Sequence, residues 1–315
     1  MHLRTAALAA ALLAAAWAAG GGAAVAAASP AVEAASLPPF SADTSLLVVA
    51  PHPDDETLCC GGIVQRVLHA GGHVTVVWIT SGDAERTGLL LIERVLWNPA
   101  RARQFGAQRM AEARAATARL GVPRSGQLFL GYPDGGVREL LGEYRTTPYT
   151  SRTTGKAAVP YPDALFPGHP YTGDSLERDF AAVLEHVQPT LILAPSPADC
   201  HPDHRAAGLL TIGVSGRHAM LPRVRYWIVH GGEGWPSPRA LMAGVPLTPP
   251  PRSRGLAPAP FALLPAEEDG KLDALGAYAT QLRVMAPFLL AFVRTTELFS
   301  ARAAADPPAL QPLAP

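Results

Sequence analysis

The sequence predicts an α/β fold in which a mostly parallel sheet is covered by helices on both faces. Two observations carry this expectation. Short apolar runs alternate with longer stretches of helical period from residue 45 to residue 283, the order that right-handed β-α-β crossovers produce. Glycine and proline mark the ends of these stretches, as at Gly71-Gly72, Gly121-Val122-Pro123 and Gln188-Pro189, so the punctuation agrees with the period.

Taken in order, residues 45–50 contain the apolar run Leu46-Leu47-Val48-Val49-Ala50 and form the first expected strand. A helix over 57–70 follows, closed by Gly71-Gly72, then a strand over 74–80. The next helix, 100–120, ends at Gly121-Val122-Pro123 and leads to a strand over 127–130. A helix over 175–186, closed by Gln188-Pro189, precedes the strand 190–194 with its run Leu191-Ile192-Leu193-Ala194. A helix over 204–217, a strand over 224–229 and a helix over 267–283 complete the pattern. Three stretches break the alternation: 83–98 with the patch Leu89-Leu90-Leu91-Ile92, 135–173, and the proline-crowded 235–260. Long loops in a compact α/β domain are often functional, so these are expected to wall a cleft, with plain surface insertion as the alternative.

Composition narrows the function classes. With 315 residues, 48% hydrophobic and 17% charged, the chain can bury a large core. Lys+Arg and Asp+Glu each total 26, so no basic surface points to nucleic acid or an acidic membrane as partner. The amino terminus, with Arg4, an apolar stretch from Ala6 to Ala19 and small residues up to Ala28, is expected to be a signal peptide, residues 1–28, directing export. The alternative, an uncleaved anchor, is disfavoured because the run is shorter than the roughly 20 residues a spanning helix needs. Stable membrane insertion after cleavage is therefore not expected. Residues 29–44 read as a linker, 45–300 as the folded domain and 301–315 as a disordered tail. Three cysteines, Cys59, Cys60 and Cys200, allow at most one internal disulfide. They are either buried packing residues, or Cys59 or Cys60 bridges to Cys200.

The chemistry lies where two strands end. His52-Pro53-Asp54-Asp55-Glu56 follows the first strand, and Asp199-Cys200-His201-Pro202-Asp203-His204 follows the fourth. Open α/β sheets place ligands at the carboxyl ends of their strands. His52, Asp55 and His204 can supply the three ligands of a catalytic zinc, or another divalent ion, with one position left for water. Asp54 is then placed as general base. His201 can stabilise a developing oxyanion as an imidazolium or protonate a leaving amine, with Asp203 holding its ring. The set suits hydrolysis of an amide or ester. Each cluster alone could merely cap a helix. Of the other histidines, His69, His73, His169, His186 and His218 read as surface or capping residues, while His230 ends a strand and could line the cleft.

These motifs resemble a known family. Pro51-His52-Pro53-Asp54-Asp55-Glu56 with Gly61-Gly62 looks like the first signature of the LmbE-like, or PIG-L, zinc-dependent N-deacetylases, and Asp199 to Gly208 is similar to the second. Thr80-Ser81-Gly82-Asp83, Arg109-Met110-Ala111-Glu112, Tyr132-Pro133-Asp134-Gly135 and the segment from Lys271 through Tyr278 to Gln281 resemble further landmarks, so the likeness spans about residues 45–300. It implies a Rossmann-like three-layer sandwich and removal of an acetyl group from an N-acetylglucosamine-type conjugate. It implies the same ligands and base, and adds Asp134, Arg101 and Arg103 as substrate contacts. Cys59-Cys60 departs from the family pattern. Rival readings are an amidase of the same family acting on a larger acyl conjugate and a metal-dependent sugar-binding module without catalysis. A nucleotide-dependent oxidoreductase is disfavoured because the first turn lacks the glycines it needs.

Overall fold

The computed structural model describes residues 37–84 and 98–303. The expected leader, linker residues 29–36, the Leu89 to Ile92 patch and tail residues 304–315 lie outside the described residues.

Strand β1 (Ser45–Ala50), helix α1 (Asp55–His69), strand β2 (His73–Thr80), helix α2 (Pro99–Arg119) and strand β3 (Gln127–Tyr132) follow one another in the chain. The short helix α3 (Val137–Leu140), helix α4 (Gly173–Val187), strand β4 (Leu191–Pro195), helix α5 (Pro202–Arg217) and strand β5 (Val224–Trp227) come next. The five strands pair in parallel in the order β3-β2-β1-β4-β5. Every residue of β4, and all of β1 beyond Ser45, is buried, as central parallel strands covered on both faces require. The chain winds from β1 outward to β3 and returns to lay β4 along the other edge of β1, Leu46 beside Leu191 and Val48 beside Leu193. Right-handed crossovers then put α1 and α2 on one face and α4 and α5 on the other. The Rossmann-like three-layer sandwich is the fold observed.

Helix starts follow their local chemistry. Asn98 accepts the N–H groups of Ala100 and Arg101 at 3.0 Å ahead of Pro99, and Thr172 accepts that of Ser175 at 3.1 Å. Elsewhere the tertiary structure altered the expectation. The helix expected over 267–283 is two helices, α6 (Pro265–Leu275) and α7 (Ala279–Leu290), and α7 is kinked at Met285, two residues before Pro287. Strands β6 (Ala259–Ala262) and β7 (Thr296–Phe299), an antiparallel pair, were not expected; four residues each, one run carrying a proline, leave little period to detect. Strand β5 stops at Trp227 because the N–H groups of Val229 and His230 donate to Asp199 Oδ2 at 2.9 and 3.0 Å instead. Cys59 and Cys60 are bonded to each other and Cys200 is a free, exposed thiol, so the bridge to Cys200, one of the two alternatives, is not formed. Among the described residues no helix is long and apolar enough to cross a membrane.

A buried ion pair fixes α1, the helix that opens at the site. Lys271 Nζ donates to Glu297 Oε1 at 2.8 Å, with both side chains 1% exposed. The same carboxylate accepts the N–H groups of Gly62 and Ile63 at 2.8 and 3.0 Å. Removing one partner of such a pair strands a buried charge. Lys271→Met is expected to lower unfolding stability by about 3–5 kcal/mol in urea titration, with Glu297→Gln in the same chain recovering part of the loss.

Candidate active site

Because β1 and β4 are neighbours whose following segments leave the sheet in opposite senses, their carboxyl ends open a crevice. The first segment brings His52, Asp54 and Asp55, the second His201, Asp203 and His204. Their atoms converge. Asp55 Oδ2 lies 3.2 Å from His52 Nδ1 and 3.1 Å from His204 Nε2, and the two nitrogens are 3.2 Å apart. A tetrahedral zinc with bonds of about 2.0–2.1 Å holds its ligand atoms roughly 3.3 Å from one another, so the triangle fits that ion. Two imidazole nitrogens facing each other at this distance cannot both present lone pairs without a cation or proton between them.

The surroundings ask for positive charge. Asp54, Asp55, Asp134, Asp199 and Asp203 gather here, and among the described residues Arg109, paired with Asp54, is a permanent cation beside them. Although burial opposes it, Asp55 and Asp199 raise the His204 pKa to about 9, and Asp134 leads the raising of His52 well above its usual value. Asp55 is held well below the carboxylate range by His204 despite its burial. A dication meets the same demand and leaves both imidazoles neutral.

The outer partners were only partly foreseen. Asp199 Oδ2 sits 3.3 Å from His204 Nδ1, and His52 Nε2 faces Asp134 at 3.3 Å and Asp203 at 3.4 Å. Carboxylates behind ligating imidazoles set ring orientation and basicity. Asp203 was expected to hold His201; instead its carboxylate accepts the N–H groups of Gly135 and Val137 at 2.7 and 3.2 Å, tying His52 to the segment after β3. His201 caps α5 by accepting the Asp203 N–H on Nδ1 at 3.2 Å. Its neutral tautomer therefore carries the proton on Nε2. Burial, followed by His52, His204 and His230, pushes its pKa down to about 2, so an imidazolium, as first expected, gives way to a neutral donor.

Asp54 is not a helix cap. It occupies the N-cap position of α1 at φ 119° without a side-chain capping bond, a backbone conformation that costs a non-glycine residue about 1–3 kcal/mol. Glu56 accepts its N–H at 3.2 Å and is itself buried against Trp78 Nε1, Thr57 Oγ1 and the Tyr278 hydroxyl. Arg109 donates to Asp54 Oδ2 at 3.0 Å and to the carbonyls of Pro53 and Gly82 at 2.6 and 2.9 Å. A side chain at Gly82 would collide with that guanidinium, 2.2 Å from the Cβ position. Burial pushes the Asp54 pKa up to about 7 against the pull of Arg109.

These groups open into a cleft of about 280 Å³ lined also by Leu58, Ala84, Val229, His230, Gln281, Met285 and Phe288. Asp134 lines it; Arg101 and Arg103, expected to touch substrate, do not. Arg103 donates to the carbonyls of Pro99 and Thr154, and among the described residues the arginine lining the cleft is Arg109. The signal for Arg109 was present, since it interrupts the buried stripe Ala102, Phe105, Met110, Ala113 of α2. His230, which ends a strand and could line the cleft, does line it; the partners that Asp199 and Glu56 take had no comparable signal.

Residues 47–215, more than half the chain, match the family model described as PIG-L, GlcNAc-PI de-N-acetylase. The chain belongs to the PIG-L family. Its members are zinc-dependent N-deacetylases. The chain is 31% identical over 203 residues, 62% of its length and 60% of the relative's, to the 1D-myo-inositol 2-acetamido-2-deoxy-alpha-D-glucopyranoside deacetylase of Kribbella flavida. It is 29% identical over 265 residues, 78% of its length and 83% of the relative's, to the protein of the same name in Actinosynnema mirum. The crystal structure of a deacetylase of the teicoplanin biosynthetic pathway, a triple mutant, aligns over 82% of this chain and 97% of that one with TM-score 0.53 and 18% identity. That likeness concerns the fold.

Replacing His52, Asp55 or His204 by Ala in this PIG-L chain is expected to abolish zinc content measured by mass spectrometry. Asp199→Asn is expected to weaken zinc affinity by about 10–100-fold in chelator competition, with the ligands themselves intact.

Proposed function

We propose that this N-deacetylase is exported and hydrolyses the N-acetyl group of an N-acetylglucosamine-type conjugate, with His52, Asp55 and His204 as zinc ligands. The observation that carries this reading is the triangle of ligand atoms with Asp54, strained and gripped by Arg109, beside the open cleft. Bound zinc supplies a Lewis acid that acidifies water and polarises a carbonyl.

The protein's own groups handle the protons. Asp54, its pKa lifted by burial toward neutrality, accepts a proton as water attacks the acetyl carbon. His201 donates its Nε2–H to the carbonyl oxygen while charge builds there. Collapse breaks the C–N bond, and the proton held on Asp54 passes to the departing nitrogen, giving acetate and the free amine. A neutral His201 suits hydrogen-bond donation better than proton delivery. Asp134, hydrogen-bonded to the Ala84 N–H at 2.8 Å, presents its carboxylate to a sugar hydroxyl. Arg4, the apolar stretch from Ala6 to Ala19 and the small residues from Ala23 to Ala28 support export.

Asp54→Asn and His201→Ala are each expected to lower turnover of N-acetylglucosamine conjugates by about 100-fold or more while zinc content is kept. Full activity of Asp54→Asn would remove the base. Expression of the whole chain with its leader should yield extracytoplasmic protein whose amino terminus lies near residue 29; an intact Met1 on that protein would refute signal cleavage.

A further inference from the structure

The two walls of the cleft differ in chemistry, and the strand order explains which wall is which. Strand ends run β3, β2, β1, β4, β5 along the sheet edge. Asp134 and Gly135 follow β3, Ala84 follows β2, and Arg109 reaches in from α2, so the β3 side of the crevice is polar. Val229 and His230 follow β5, and α7 closes over them. Gln281, Met285 and Phe288, spaced four and three apart, form one stripe of α7 facing the cleft. The Phe288 ring stacks on His230, centroids 5.6 Å apart and planes 13° apart, which seats α7 on the β5 side. The reacting groups on the β1 and β4 segments lie between the two walls.

An amide bridging that centre carries its sugar on nitrogen and its acyl group on carbon, pointing opposite ways. The hydroxyl-rich half matches Asp134 and Arg109. We propose, resting on the deacetylase reading above, that the acyl group is received by the wall of Val229, Met285 and Phe288, and that Met285 and Phe288 set the length of acyl chain the enzyme accepts. The kink favours this role. Met285 has non-helical φ −136° and ψ 30°, and Pro287 supplies no N–H to the helix, so the α7 backbone bends where its stripe meets the cleft. Methionine is the apolar side chain that adapts most readily to a change in neighbouring volume.

The test is an acyl series on methyl glucosaminide, N-acetyl, N-propionyl and N-butyryl, together with the N-acetylated phenyl glycoside. Wild type, Met285→Ala, Phe288→Leu and Val229→Ile are compared as zinc-loaded protein, folding being checked by circular dichroism. In the first two variants the propionyl-to-acetyl ratio of kcat/KM is expected to rise about tenfold for a methylene newly accommodated, and in Val229→Ile to fall, while the phenyl-to-methyl ratio holds. Acyl ratios that stay constant while the phenyl-to-methyl ratio moves would assign this wall to the aglycone and overturn the proposal. Constant values of both ratios in all folded variants would do the same. A wild-type protein inactive on every N-acetylglucosaminide would overturn the deacetylase reading and this one with it.

Discussion

Three lone-pair atoms, two imidazole nitrogens and a carboxylate oxygen, are held 3.1–3.2 Å apart in a buried, acid-rich crevice. Such a group repels itself unless positive charge lies at its centre. The architecture around it can be understood as the means of enforcing that contact. Parallel pairing of β1 with β4 brings together segments 152 residues apart in the chain. Asp199, Asp134 and Asp203 then fix the far nitrogens of the two imidazoles, so that side-chain rotation offers no escape.

The same enforcement extends to Asp54. Its left-handed backbone is stable only because the surrounding structure overdetermines it. Glu56, anchored by Trp78 and Tyr278, takes its N–H, and Arg109 takes its carboxylate while bonding the carbonyls on either side of the site. The buried Lys271–Glu297 pair holds the middle of α1 through the N–H groups of Gly62 and Ile63. The break between α6 and α7 belongs to this scheme, since it is at Tyr278 that the chain turns to reach Glu56 and then sends α7 across the cleft.

Much of this was legible in residue order alone. The uninterrupted apolar runs before His52 and before Asp199 announce central parallel strands, because only a strand covered on both faces can afford no polar alternation. Histidine and aspartate directly after each run announce chemistry at a sheet edge. Those two local facts were enough to select His52, Asp55 and His204, which the fold does bring together. The short β6 and β7 and the early end of β5 were not legible, because each is decided by a partner far away in the chain; the kink in α7 has a local cause, Pro287, which lies beyond the helix expected over 267–283.

Side-chain partners show the same division. Asp203 lies two residues from His201, and sequence proximity suggested that they pair; the fold turns the carboxylate toward His52 and the segment after β3 instead. Arg101 and Arg103 share a helix with Arg109, yet helical rotation buries only the last against Asp54. Local order is sufficient to specify which residue types reach the strand ends, because strand, turn and helix start are set by neighbours within a few positions. Which carboxylate serves which imidazole, and which wall of the cleft is apolar, depends on contacts between segments separated by scores of residues, and only packing of the whole chain resolves them.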